Sequence, residues 1–177
     1  MKVQINKRND GAGVLRCIRE DGSVTWQKQK DGVAPFFALH DLTHFAVETT
    51  LGFRNGFFGL IAQGWDIDDT TGKGSRGALP TETTDVEKLV GLFFTERAGA
   101  TLWTAEEFNQ SWNGPRSLTA DEIVSVRKRC AELFHQWKGV SSGSMLELEF
   151  AAITRAPAEG SASSKYSGKP VRAGRSA

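Results

Sequence analysis

A nearly uncharged stretch at residues 39–52 constrains the fold more than any other part of the sequence. Residues 32–65 contain only three charged side chains, Asp41, Glu48 and Arg54, and are otherwise rich in phenylalanine, leucine and glycine. A helix that is apolar around most of its circumference is usually a buried one. We therefore predict a central buried helix that ends at Gly52, a residue suited to the left-handed conformation of a C-cap.

This predicted helix carries four side chains that can bind metal or move protons. At about 100° of rotation per residue, they share one arc of about 100°: His40, Asp41, His44 and Glu48. Two imidazoles spaced i, i+4 lie one turn apart and can hold one divalent ion. We predict a metal site with the ligands His40, His44 and Glu48. Asp41 would be the catalytic base, or a partner that fixes a histidine tautomer.

Two readings of these four residues remain open. In the first, zinc is the leading candidate for a site of two imidazoles and one carboxylate, although iron and manganese have compatible chemistry. A water on the open coordination position would become a nucleophile, which indicates a metal-dependent hydrolase acting on a small molecule or a peptide. In the second, the cluster is a structural hydrogen-bond network or a solvated face in a non-enzymatic binding or adaptor module.

Alternating hydrophobic residues predict a sheet built from both ends of the chain. Residues 2–30 indicate three antiparallel strands, and residues 145–153 indicate a fourth. Asp21-Gly22 is typical of a two-residue hairpin turn, which would place Cys17 opposite Trp26. Trp26 and Val24 would then lie on the core face.

Helical patterns account for most of the remaining chain. Residues 53–64 indicate a short helix whose glycines, Gly56 and Gly59, would permit close packing on the central helix. Three Thr-x-x-Glu capping boxes predict further helix starts: Thr84 with Glu87, Thr104 with Glu107, and Thr119 with Glu122. His135 lies about 130° from the middle of the apolar stripe of the last helix and is expected to face solvent. Residues 66–80 are expected to form a loop that could act as a lid.

The fold class that follows is α+β, with a small antiparallel sheet of three N-terminal strands and one C-terminal strand packed against about four to five helices. A chain of 177 residues with a net charge of +1 suits one domain, which we assign to residues 1–155. Residues 156–177 predict a disordered basic tail. The balanced charge does not favour nucleic acid as a partner. Without a membrane span or a disulfide framework, we predict a cytoplasmic protein.

Overall fold

The structure is a computed structural model and describes residues 1–10, 13–28, 34–72, 74, 76–99 and 101–151. Its elements follow in the order β1 (Lys2–Lys7), β2 (Gly13–Ile18), β3 (Val24–Lys28), α1 (Ala34–Leu51), α2 (Phe57–Ala62), a short 3-10 helix (Asp69–Thr71), α3 (Thr81–Gly99), α4 (Ala105–Trp112), α5 (Ala120–Gly139) and β4 (Met145–Glu149). The predicted tail at residues 156–177 and the predicted domain boundary at residue 155 lie outside the described residues.

The four strands form one antiparallel sheet in the order β3-β2-β1-β4, so the predicted α+β fold class is confirmed. Val3 of β1 lies between Cys17 of β2 and Leu148 of β4. Together with Ile5 and Leu15, these side chains are buried and form the inner face of the sheet. The alternation of the sequence therefore places one face of the sheet on the helices.

The predicted register of the β2–β3 hairpin is wrong by one residue. Cys17 lies opposite Thr25 rather than opposite Trp26. A slip of one residue exchanges the two faces of a strand. Thr25 is therefore buried, while 40 % of Val24 and 63 % of Trp26 are exposed to solvent.

The turn explains the slip, because it has three residues instead of the predicted two. The main-chain N–H of Arg19 donates to the carbonyl of Ser23 over 2.9 Å, so Glu20 joins Asp21 and Gly22 in the loop. Gly22 adopts a left-handed conformation with φ of 82°. This geometry is that of a three-residue hairpin loop with a glycine bulge.

Helix α1 is the central element and contacts β2, α2, α3 and α5. Leu42, Ala46 and Val47 have no exposed surface. The helix ends where the sequence predicted, since Gly52 is left-handed with φ of 76°. The carbonyl of Glu48 accepts hydrogen bonds from the N–H groups of Gly52 and Phe53, at 3.0 and 3.1 Å. The predicted buried helix and its glycine cap are thus confirmed.

The start of α3 differs from the prediction. The helix begins at Thr81, three residues before the capping box expected at Thr84. The carboxylate of Glu82 accepts hydrogen bonds of 2.6 Å from the N–H groups of both Arg54 and Asn55. Because these bonds fix the first turn of α3 to the loop after α1, the helix starts early and Glu87 lies inside it. The boxes at the starts of α4 and α5 are confirmed.

The loop after α2 is attached to the sheet at its beginning. The guanidinium of Arg19 donates from Nε to the carbonyl of Ile61 at 2.7 Å and from Nη2 to Asp66 Oδ1 at 3.1 Å. The N–H of Ile67 donates to Thr25 Oγ1 at 3.1 Å. Closure of this loop over α1 as a lid stays a prediction.

None of the helices in the described ranges has the length and apolar character needed to traverse a bilayer.

Candidate metal centre

His40 and His44 lie on the face of α1 that packs against α3 and α2. Their ring centroids are 4.8 Å apart. Phe36 stacks on the outer side of His40, with centroids 6.0 Å apart and planes inclined by 25°. Phe94 of α3 flanks His40 at 6.2 Å, and Phe57 of α2 flanks His44 at 5.5 Å. Aromatic walls therefore hold both imidazoles, and only 2 % of the His44 surface reaches solvent.

The carboxylate that faces both histidines is supplied by Glu87 of α3. Its Oε1 lies 3.4 Å from Nε2 of His44. One ligand atom from each of His40, His44 and Glu87 lies within 4.8 Å of the other two. These three side chains are close enough to share one ion, and we call them the His40–His44–Glu87 cluster. About half of the Glu87 side chain, 51 %, is exposed, so the cluster opens to solvent on that side.

Glu48, the third ligand predicted from the sequence, is engaged on the opposite side of His44. Its side chain is fully buried, and Oε1 lies 3.4 Å from Nδ1 of His44. Oε1 also accepts from the N–H of Phe58 at 3.2 Å, and Oε2 accepts from the N–H of Gly59 at 2.9 Å. The carboxylate thereby satisfies free N–H groups in the first turn of α2, where the helix dipole also favours a negative charge.

Gly56 allows this close approach of the α2 N-terminus to Glu48. A Cβ at position 56 would lie 2.7 Å from Oε2 and 2.8 Å from Cγ of Glu48, well inside van der Waals contact. The backbone of Gly56 has φ of −78°, which any residue can adopt, so the glycine is required for space. The predicted close packing of this glycine on α1 is confirmed.

Asp41, the predicted base, is not one of the three residues of the His40–His44–Glu87 cluster. One residue along the helix turns a side chain by about 100°, which brings Asp41 from the α3 side of α1 toward β2. There it contributes to the environment of Cys17: burial raises the pKa of that thiol to about 12, and the negative charge of Asp41 adds to the effect. His135 of α5 is exposed, which confirms the prediction that it faces solvent.

The pKa values of the two histidines are shifted in opposite directions. Burial, followed by the neighbouring charge of His44, lowers the pKa of His40 to about 4, although Glu87 opposes this. Burial also acts to lower the pKa of His44, but hydrogen bonding and charge from Glu48 and Glu87 outweigh it and raise that pKa to about 9. At neutral pH and without an ion, His40 is a neutral imidazole and His44 an imidazolium between two carboxylates.

Sequence reasoning missed Glu87, because its spacing from Thr84 fits a capping box. That pattern predicts a carboxylate used within its own helix. Nothing in the local sequence indicates that α3 packs along the histidine face of α1, since this is a tertiary contact. One weak signal was available: Glu87 directly follows Val86, which has no exposed surface, and so lies at the border of the buried stripe of α3.

Two imidazoles and one carboxylate form a donor set that proteins use for zinc and for non-haem iron. No protein-family model, curated protein or solved structure matches this chain. The chemistry of the cluster is therefore argued from its own geometry. That geometry offers three donors from two helices, a buried side at His44 and an open side at Glu87.

Proposed function

We propose that this chain binds a divalent metal ion through a ring nitrogen of His40, Nε2 of His44 and the carboxylate of Glu87. The observation that carries the proposal is the convergence of ligand atoms of His40, His44 and Glu87 within 4.8 Å of one another, with His44 Nε2 at 3.4 Å from Glu87 Oε1. In a tetrahedral site with bonds of about 2.0–2.1 Å, two ligand atoms lie about 3.4 Å apart. The spacing therefore suits a shared ion.

His40 completes the set with a modest side-chain adjustment. Its ligand atom lies no more than 4.8 Å from the other two, so it has to approach by about 1.4 Å to reach the tetrahedral spacing. Its lowered pKa supports this role, because a histidine must be neutral to bind metal. His40 is only partly buried, which leaves its ring room to turn.

Glu48 contacts His44 on the side of the ring that faces away from Glu87. Histidine ligands of metals usually donate their second ring N–H to a carboxylate or a carbonyl, which fixes the tautomer. Glu48 lies on the Nδ1 side of His44 and is held in place by two main-chain N–H groups. Binding of an ion would displace the proton on Nε2 and keep the one on Nδ1, so that the Nε2 lone pair is directed at the cluster. We therefore assign Glu48 a positioning role instead of the ligand role that the sequence suggested.

Hydrolysis is the activity that such a site supports best. Three protein ligands leave a coordination position open on the solvent side of Glu87, where a bound ion would lower the pKa of a water and present it to a small substrate or peptide. Zinc is the first candidate because it accepts this donor set in tetrahedral geometry. A base role for Asp41 would require its side chain to turn away from β2.

The free, buried cysteines, Cys17 and Cys130, support a reducing, cytoplasmic location.

The direct test is to titrate tag-free, metal-stripped protein with zinc and to measure binding by calorimetry. A parallel titration with cobalt reports tetrahedral coordination through its visible absorption. We expect one site per chain. Glu87→Gln removes a charged ligand and should weaken zinc binding by at least about 100-fold, because loss of a partner behind the ligands already costs about 10- to 100-fold. Asp85→Asn, on the same helix and with the same charge change, should leave binding unchanged. Wild-type protein without a saturable site, or equal binding by Glu87→Gln, would refute the proposal.

A specific observation favours a second candidate function, in which the cluster is structural. The pKa of His44 is raised to about 9 by the two glutamates that offset its burial, so an imidazolium can occupy this position without an ion. The chain would then be a non-enzymatic binding or adaptor module. If this hypothesis is correct, zinc does not bind. His44→Gln lowers the stability of the metal-free protein, and the only effect of Glu87→Gln is also on that stability.

A further inference from the structure

A cavity lies between α3 and α5, with Thr43 of α1 also in its lining. It has a volume of about 370 Å³, within the range of sites that bind small molecules. Its walls are mainly apolar and include Phe93, Phe94, Leu102, Ala131 and Phe134. Leu102 is 72 % exposed at its rim. An apolar chain or ring entering the cavity would therefore bury surface on several sides.

The charges at the inner end of this cavity are already satisfied. Glu96 is buried and accepts from Arg127 Nε at 2.9 Å, and the two side chains form a second contact through Arg127 Nη2. The main-chain N–H of Trp103 donates to Glu96 at 2.8 Å, and the carbonyl of Trp103 accepts from Arg127 at 2.8 Å. This pair fixes the loop before α4 and leaves no net charge for a ligand.

Arg97 lies at the mouth of the cavity and is exposed to solvent. Its guanidinium lies 5.5 Å from the ring centroid of Phe94 and 4.9 Å from that of Phe134, so it spans the opening from α3 to α5. Within the described ranges, the Arg97 guanidinium contacts these two rings and pairs with no carboxylate or hydrogen-bond acceptor. Its charge reaches into the cavity, where burial raises the pKa of Cys130 to about 12 and Arg97 is the largest opposing charge.

We propose that this cavity binds a small amphiphilic carboxylate, with the apolar part between α3 and α5 and the carboxylate on the guanidinium of Arg97. Guanidinium presents its donors as a planar fork that matches a carboxylate, and stacking on aromatic rings keeps this fork in one orientation. Charge complementarity decides the class of ligand, because Arg97 is the cation of the cavity that Glu96 does not neutralise. The proposal does not depend on metal binding.

The test compares octanoate with octanol, which has the same apolar chain and no charge, as ligands of the full chain in buffer containing EDTA. Calorimetry gives the affinities, and chemical-shift changes in an amide NMR spectrum give the location. We expect octanoate to bind wild-type protein about tenfold more tightly than octanol, as a charge-assisted contact implies. Arg97→Gln should reduce this ratio to about one, because only the carboxylate contact is lost.

Two further variants separate the cavity from the general surface. Lys128→Gln removes an exposed cation from α5 and should keep the tenfold ratio. Ala131→Leu narrows the cavity and should weaken both ligands alike. The proposal is overturned if octanoate binds no more tightly than octanol or if Arg97→Gln preserves the ratio. It is equally overturned if the chain dimerises through α3 and α5 and takes up neither ligand.

Discussion

Replacement of Glu48 by glutamine should destabilise the protein strongly, although the two side chains have the same size. Both carboxylate oxygens accept main-chain N–H groups, Oε1 from Phe58 and Oε2 from Gly59, in a fully buried position. Whichever way the glutamine amide is oriented, its NH₂ group faces an N–H donor. One hydrogen bond to a charged group is lost, which contributes about 1.5–3 kcal/mol.

The neighbouring imidazolium increases this loss. His44 Nδ1 lies 3.4 Å from the Glu48 carboxylate, and glutamine removes the negative charge that stabilises its proton. Breaking a buried charge pair by removing one partner costs about 3–5 kcal/mol. We expect the free energy of unfolding at pH 7 to fall by about 3–5 kcal/mol. Glu20→Gln, at an exposed position in the β2–β3 turn, should change it by less than about 0.5 kcal/mol.

The same variant should also alter the pH dependence of stability. The pKa of His44 is raised from 6.5 to about 9 in the folded protein, so its stabilising contribution is complete below pH 6.5 and is lost as the pH rises through 9. At full size this contribution is about 3 kcal/mol. Because Glu48→Gln removes much of it, wild-type protein and the variant should differ less at pH 9.5 than at pH 7.

Urea denaturation of metal-free protein at the two pH values gives both quantities. A double-mutant cycle with His44→Gln isolates the coupling between Glu48 and His44, which we expect to exceed about 1 kcal/mol at pH 7. The reasoning fails if Glu48→Gln costs less than about 1 kcal/mol at pH 7. It also fails if the destabilisation is the same at pH 7 and at pH 9.5.

Three further predictions concern stability. Gly56→Ala should destabilise the protein by about 1–3 kcal/mol in urea denaturation, because the new methyl group would displace the Glu48 carboxylate; equal stability would show that α2 can shift. Thr119→Ala removes the capping box with Glu122 at the start of α5 and should cost about 1 kcal/mol, read from the shift of the melting temperature. Burial lowers the pKa of His40 to about 4 in the folded protein, so the unfolded chain binds a proton at this histidine at higher pH than the folded chain does. The free energy of unfolding should therefore fall as the pH falls from 6.5 toward 4. His40→Gln should flatten this decline in urea denaturation, and an unchanged decline would contradict the lowered pKa.

Local signals in the sequence were sufficient for most of the helical architecture. The glycine at position 52 and the capping boxes at Thr104 and Thr119 mark helix ends through contacts within a few residues, and all three are confirmed. Strand alternation likewise predicted the sheet and its C-terminal member. The hairpin register failed because Asp21-Gly22 suits both a two-residue turn and the three-residue loop that forms, and only packing of Thr25 on the core distinguishes them.

The candidate site was predictable only in part. The i, i+4 spacing on one helix identifies His40 and His44 as neighbours, since helix geometry alone brings them together. The partners of Glu48 are main-chain groups of another helix, and no sequence pattern records that α2 begins beside it. Glu87 comes from a third helix, so its position follows from how α3 packs on α1. A side-chain cluster assembled across helices is therefore only partly visible in the sequence.

The order of the strands bears on how the chain is made. Because β1 lies between β2 and β4, one of its edges has no partner until β4 has been synthesised. The main-chain contact between Met1 and Phe150 joins residues 149 positions apart, a pairing that forms late and slowly. The nascent N-terminal hairpin thus presents an open edge during synthesis, which is a template for pairing between chains. Fragments that stop before residue 145 should therefore aggregate.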